Sequence, residues 1–189
     1  MSAAPDQASL FTLRDARADD APAIQKIYAT HVLTGLSSFE EVPPDAAEMA
    51  QRMRTIQERG LPYIVADRDG QIGGYAYASP FRTRSAYRYT VEDSVYISND
   101  ALRRGLGRTL LTELIARCTK AGFRQMVAVI GGSDNHGSIG LHKHLGFEMV
   151  GTMPAVGFKF GRWVDGVRMQ RALGPGASSP PDDMAGEQG

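Results

Sequence analysis

The sequence has little cysteine: one residue, Cys118, in 189. No internal disulfide can form, so a packed core must hold the chain, which fits a reducing compartment. It also lacks net charge, since 21 lysines and arginines balance 21 aspartates and glutamates. No global field then favours nucleic acid or an anionic membrane, and neither is expected as a partner. Long apolar runs are missing too. Residues 127–130 form a clean apolar stretch, far short of the roughly 20 residues that cross a bilayer. The opening MSAAPDQASL has no basic segment followed by an apolar run, so no signal peptide is expected and the expected location is cytoplasmic. Metal-ligand spacing is absent, because the later histidines cluster on one helical segment without cysteines, and no metal is expected.

What is present fits one globular domain: 42% of residues are hydrophobic, and the length suits a single core. Residues 1–9 are small and polar and read as a flexible N-terminus. Residues 174–189, GPGASSPPDDMAGEQG, read as a disordered tail. The folded domain is expected over residues 10–173. A short apolar strand at residues 10–16 leads to Asp19 or Asp20 as a helix N-cap, with Pro22 in the first turn. Pro43, Pro44 and Asp45 open a second helix to about Arg59. Residues 63–67 and 72–79 read as a hairpin turned by Asp69-Gly70, with Gly73 and Gly74 marking a bulge or close backbone approach. A strand at 90–98, a helix at 106–121, a buried strand at 125–130, a helix at 136–145 and two extended segments complete the order β-α-α-β-β-β-α-β-α-β-β. This order predicts an α/β domain with a mixed sheet and helices on both faces.

The most informative local feature is the turn after Ser94-Val95-Tyr96-Ile97. It reads Leu102-Arg103-Arg104-Gly105-Leu106-Gly107-Arg108 and runs straight into a helix. Two glycines one residue apart let the backbone approach a ligand, and the free N–H groups of a helix start bind anions. Three arginines add charge, so a pyrophosphate suits the turn. The Gly-Lys-Ser/Thr ending of a P-loop and the third glycine of a dinucleotide fingerprint are both absent.

Together with a second motif, this turn resembles the GNAT N-acetyltransferase superfamily. The phosphate motif there is Gln/Arg-x-x-Gly-x-Gly/Ala, and Leu102 departs from its first position. A later helix there reads Asn-x-x-Ala/Ser-x-x-x-Tyr-x-x-x-Gly-Phe. Here Asn135, Ser138, His142, Gly146 and Phe147 occupy that spacing, with His142 in place of tyrosine. The resemblance implies a mostly antiparallel central sheet of about seven strands and acetyl-CoA as cosubstrate. It implies that Arg103, Arg104, Gly105, Leu106, Gly107, Arg108, Asn135 and Ser138 bind the cofactor. Val95, Tyr96 and Ile97 would hold its pantetheine arm through their backbones, as if it were an added strand. His142 would stand where a tyrosine usually protonates the leaving thiolate, and a histidine can also donate a proton near neutral pH.

The stretch PFRTRSAYRYTVEDSVYIS narrows the resemblance to phosphinothricin and methionine sulfoximine N-acetyltransferases. So do Gly157, Phe158, Lys159, Gly161 and Trp163 near the end, and the early SSFEEVPP with Phe39 and Glu40. By that likeness Phe39, Arg82, Thr83, Arg84, Glu92, Asp93 and Ser94 contact substrate, and the enzyme is a homodimer with its acceptor site near the subunit interface. The chemistry agrees. An amine must lose a proton before it attacks a thioester, and Glu92 at the start of the cofactor strand can take it. Arg82, Arg84 and Arg88 form a basic cluster whose planar forks suit a carboxylate, phosphinate or sulfoximine. A backbone N–H at Val95 or a neighbour would hold the oxyanion. Cys118, among apolar helix residues, reads as core. Two other readings stay open: acetylation of another small amine or a protein N-terminus, and a CoA-binding module without catalysis.

Overall fold

The computed structural model describes residues 10–181. Its centre is one seven-stranded sheet built from β1 (Thr12–Asp15), β2 (Tyr63–Arg68), β3 (Gln71–Pro80), β4 (Thr90–Ile97), β5 (Gln125–Gly131), β6 (Glu148–Lys159) and β7 (Arg162–Ala172). The spatial order is β1-β2-β3-β4-β5-β7-β6. Only β4 and β5 run parallel, and the other pairs are antiparallel. The helices are α1 (Ala21–Thr34), α2 (Ala46–Glu58), α3 (Leu106–Lys120) and α4 (His136–His144). The element order and the mixed, mostly antiparallel sheet match the sequence expectation.

Each sheet face has its own core because successive strand residues point to opposite sides. On one face, Ile24 and Val32 of α1 and Met49 and Met53 of α2 pack on Tyr63, Tyr75 and Tyr96. On the other, Leu106, Leu110, Leu111 and Leu114 of α3 pack on Ala76, Val91, Met126 and Met169. Burying each such leucine contributes about 1.5–3 kcal/mol. Cys118 lies fully buried in this second core.

Local chemistry explains the boundaries. Asp45 caps α2, its Oδ1 accepting from the Glu48 N–H at 2.8 Å. Asp20 stands at the N-cap of α1 but makes no side-chain cap bond. Its carboxylate instead accepts two bonds from Arg14, both 2.8 Å, and one from the Arg17 N–H. The β2–β3 hairpin turns through Asp69 and Gly70, both with positive φ, the geometry that favours Asp-Gly. Gly74 marks a close approach: a Cβ there would lie 2.9 Å from the Tyr96 carbonyl oxygen.

Residues 1–9 and 182–189, parts of the two ends expected to be loose, lie outside the described residues. The described start of the expected tail packs against the domain. Arg124, buried, donates to the Gly176 carbonyl at 2.9 Å and to the Ser179 carbonyl and hydroxyl.

Candidate active site

The parallel pairing of β4 with β5 runs from Thr90↔Gln125 to Asp93↔Ala128 and ends there. Beyond it, β4 stays with β3 through Ile97 and β5 stays with β7 through Gly131. The two strands therefore part, leaving facing edges without mutual hydrogen bonds. The gap is a cleft of about 400 Å³, lined among others by Val95, Ile97, Val129, Gly131, Ser138 and His142. An extended ligand arm can lie there as an added strand.

The glycine turn closes one end of this region. Gly105 has φ +80° and forms the N-cap of α3, a conformation that suits glycine. At Gly107 a Cβ would meet Leu141 at 3.4 Å and Ile97 at 3.7 Å, ordinary packing distances, so α3 starts close against β4 and α4. The first-turn N–H groups of α3 lack helical partners and suit an anion. Arg103, Arg104 and Arg108 are exposed around them. Leu102 lines the cleft. Asn135 caps α4, its Oδ1 accepting from the Ser138 N–H at 3.1 Å, and its Nδ2 donates to the Gly131 carbonyl.

His142 is buried and both its ring nitrogens are engaged. Nδ1 lies 2.7 Å from the Ser138 carbonyl oxygen, and Nε2 lies 3.0 Å from Asp93 Oδ2. Burial opposes charge on the ring. The Asp93 hydrogen bond and charge, helped by the Ser138 carbonyl, outweigh it and raise the pKa above the ordinary histidine value.

Glu92 sits on the opposite face of β4, with Ser94 and Tyr96. Burial raises its pKa. The Arg82 charge opposes the rise, the Asp93 charge adds to it, and Arg168 opposes it. Across the strand pair, Tyr77 lies opposite Ser94 and Ser79 opposite Glu92, and Tyr77 hydrogen-bonds Ser94. A second cavity of about 510 Å³ opens on this face under α2, lined by Tyr28, Met49, Arg52, Tyr63, Tyr75 and Tyr77 among others.

The substrate residues expected from the sequence are not gathered into one spot. Glu92 and Ser94 share the α1–α2 face. Asp93 turns to the α3–α4 face, and Asp93 and Ser94 both line the cofactor cleft. Arg82 lies over the Phe81 ring, 4.3 Å from its centroid. Arg82, Thr83, Arg84 and Arg88 line a separate hollow with Phe123. Phe39 packs against Gly157, where a Cβ would sit 3.1 Å from its ring. Glu40 accepts from the Tyr28 hydroxyl at 3.0 Å and from Arg52 at 2.6 Å.

Two residues join the site that the sequence did not assign to it. His31, in α1, donates from Nε2 to the Ile97 carbonyl at 2.9 Å and lines the cleft. Lys159, fully buried, donates to the Gly35 and Ser38 carbonyls at 3.0 and 2.7 Å. It thereby pins the loop that carries Phe39 and Glu40. The Gly-Phe-Lys-x-Gly-x-Trp motif marks Lys159 but not its partner.

A splayed parallel pair beside a glycine-rich helix start is the arrangement of a CoA-dependent acyltransferase, and the family described as Acetyltransferase (GNAT) domain matches residues 13–167. The chain belongs to the GNAT acetyltransferase family. It is 56% identical to a phosphinothricin N-acetyltransferase of Alcaligenes faecalis over 171 residues, which cover 90% of this chain and 87% of the relative. It is 43% identical to an L-methionine sulfoximine/L-methionine sulfone acetyltransferase of Pseudomonas aeruginosa, covering 89% of this chain and 98% of the relative. Among solved structures it is similar to a GNAT superfamily phosphinothricin acetyltransferase from Sinorhizobium meliloti in complex with AcCoA. That match has TM-score 0.89 and 53% identity, and covers 92% of this chain and 94% of the other. This GNAT protein is thus an acetyl-CoA-dependent N-acetyltransferase. The cleft fits the cosubstrate: the parted β4 edge suits the pantetheine arm, and the α3 start with its arginines suits the pyrophosphate. Among the described residues, no helix is long and apolar enough to cross a membrane.

Proposed function

We propose that this acetyltransferase moves acetyl from acetyl-CoA to the amine of a small amino-acid-like acceptor such as phosphinothricin or methionine sulfoximine. The observation that carries the reading is the position of Glu92. It lies on the strand that borders the cofactor cleft, but on the face turned away from α3 and α4 and half-buried, with Arg82 close enough to affect its charge. Glu92 takes the ammonium proton of the acceptor, directly or through a water. The freed amine attacks the thioester carbonyl. A backbone N–H of β4 at Val95 or a neighbour holds the oxyanion. The C–S bond then breaks, its electron pair goes to sulfur, and a proton from the His142 side follows. No covalent acyl-enzyme is needed: Cys118 is buried and burial pushes its thiol up to about 12. Arg82, whose charge reaches Glu92, takes an acidic group of the acceptor, and the names of the relatives support that acceptor class.

The enzyme works in the cytoplasm as a homodimer. Its single cysteine supports the first statement. The second is supported by a large apolar surface on β6 and β7, where Phe158 is 56% and Trp163 68% exposed; the rings lie 5.2 Å apart. Steady-state release of CoA thiol tests the activity with phosphinothricin, methionine sulfoximine, methionine sulfone and unrelated amines as acceptors. Turnover with the amino-acid analogues is expected. Turnover only with unrelated amines overturns the acceptor class, and turnover with none overturns the catalytic reading.

A further inference from the structure

A backbone carbonyl can only accept a hydrogen bond, so His142 Nδ1, 2.7 Å from the Ser138 oxygen, must carry hydrogen. The tautomer question then reduces to one proton between His142 Nε2 and Asp93 Oδ2, 3.0 Å apart. Neither nitrogen is left free to take a proton from an acceptor amine. The side chains are 6% and 2% exposed, so water does not screen the pair strongly. Asp93 lines the cofactor cleft, and its second oxygen, Oδ1, is buried without a hydrogen-bond partner among the described residues.

We propose that Asp93 is the positioning residue of the leaving-group side: it holds His142 as an imidazolium with both nitrogens protonated, and the proton shared between them is the one given to the departing thiolate. The proposal rests on the acetyl-transfer reading above. The balance is simple. Before transfer the pair consists of an imidazolium and a carboxylate. As the C–S bond breaks, its electron pair goes to sulfur and the shared proton passes to sulfur. A neutral ring and a carboxylate remain, and solvent restores the proton. Asp93 and His142 both line the cleft, so the shared proton lies at its edge, while Nδ1 stays tied to the helix.

The surroundings are otherwise nearly uncharged. The Phe147 ring lies edge-on to His142 at 5.0 Å. Cys118 of α3 lies near enough to Asp93 for that charge to raise its thiol further, in addition to burial. Glu92, next in the chain, feels the Asp93 charge from the other face of β4. The net upward shift of His142 has Asp93 as its largest raising cause. Removing the carboxylate therefore moves the titration of the ring to lower pH.

The experiment pairs ring-nitrogen NMR of His142 with pH profiles of kcat and KM, in the unaltered protein and in Asp93→Asn. In the unaltered protein, both ring nitrogens are expected to carry protons at pH 7. In Asp93→Asn, the ring is expected to titrate about one pH unit lower or more. The high-pH fall of kcat should move down with it, kcat should drop roughly tenfold or more, and KM for acetyl-CoA should change little. A bare ring nitrogen at pH 7 in the unaltered protein overturns the proposal, even if the variant fails to fold. An unmoved pH limb in a folded variant overturns it too. The NMR result stands whether or not the protein acetylates any tested amine, so a failure of the activity reading is seen separately.

Discussion

Glu92 and Asp93 are neighbours in the chain and serve opposite faces of β4. Asp93 reaches His142 across the α3–α4 side, and Glu92 faces the α1–α2 side beside Ser94. In the proposed reaction one strand then separates the two proton-handling jobs: the amine would lose its proton on the Glu92 side, and the thiolate would gain one on the Asp93–His142 side.

Glu92→Gln keeps the size of the side chain and removes the proposed base. The variant is expected to bind acetyl-CoA normally and to lose about 10²–10⁴-fold in kcat. The active form of Glu92 is the carboxylate, and burial raises its pKa. In the unaltered enzyme kcat/KM should therefore rise with pH through a limb above that of a free glutamate, and this limb should vanish in the variant. Thiol-release kinetics across pH check both statements.

Gly105→Ala places a Cβ at φ +80°, at a cost of about 1–2 kcal/mol. The start of α3 should shift or loosen. Affinity for acetyl-CoA, measured by titration calorimetry, should fall more than the affinity for the acceptor.

Lys159→Met removes the donor that holds the Gly35 and Ser38 carbonyls. Two acceptors lose their partner, which costs about 1–3 kcal/mol. Tm should fall. KM for the acceptor should rise more than KM for acetyl-CoA, because the loop with Phe39 and Glu40 loses its anchor.

Asp20 links β1 to α1 through Arg14. The Arg14 hydrogen bonds, with the Arg17 N–H, hold its carboxyl below the usual value of 3.8 against the effect of burial. A lowered folded pKa stabilises the fold above the unfolded value and loses that contribution as pH falls through the folded one. Denaturant melts should show Asp20→Asn less stable by about 1–3 kcal/mol at pH 7, with the difference shrinking in acid.

Trp163→Glu puts a charge in the exposed apolar surface of β7. Sedimentation should give twice the chain mass for the unaltered protein and a shift toward the single-chain mass for the variant.

Much was legible in the sequence because it was decided within a few residues. Asp45 and its N-cap bond lie three positions apart, Asp-Gly sets the β2–β3 turn, and Gly105 and Gly107 set the start of α3. The sequence reading grouped Glu92 and Asp93 together as substrate contacts, whereas the structure turns them to opposite faces of β4. The family likeness named several of the residues that line the cleft, since Asn135, Ser138 and His142 recur at fixed helical spacing.

What the tertiary structure decided was the pairing of distant residues. Asp93 and His142 are 49 positions apart, His31 and Ile97 are 66 apart, and Lys159 reaches Gly35 across 124. No local propensity encodes such contacts, because each depends on which strand stands beside which in the sheet. The same holds for the parting of β4 from β5 after Asp93 and Ala128: the sequence determined the two strands, and only their packing with α3, α4 and α1 decided that they lie side by side, where their hydrogen bonds stop and where the cleft begins.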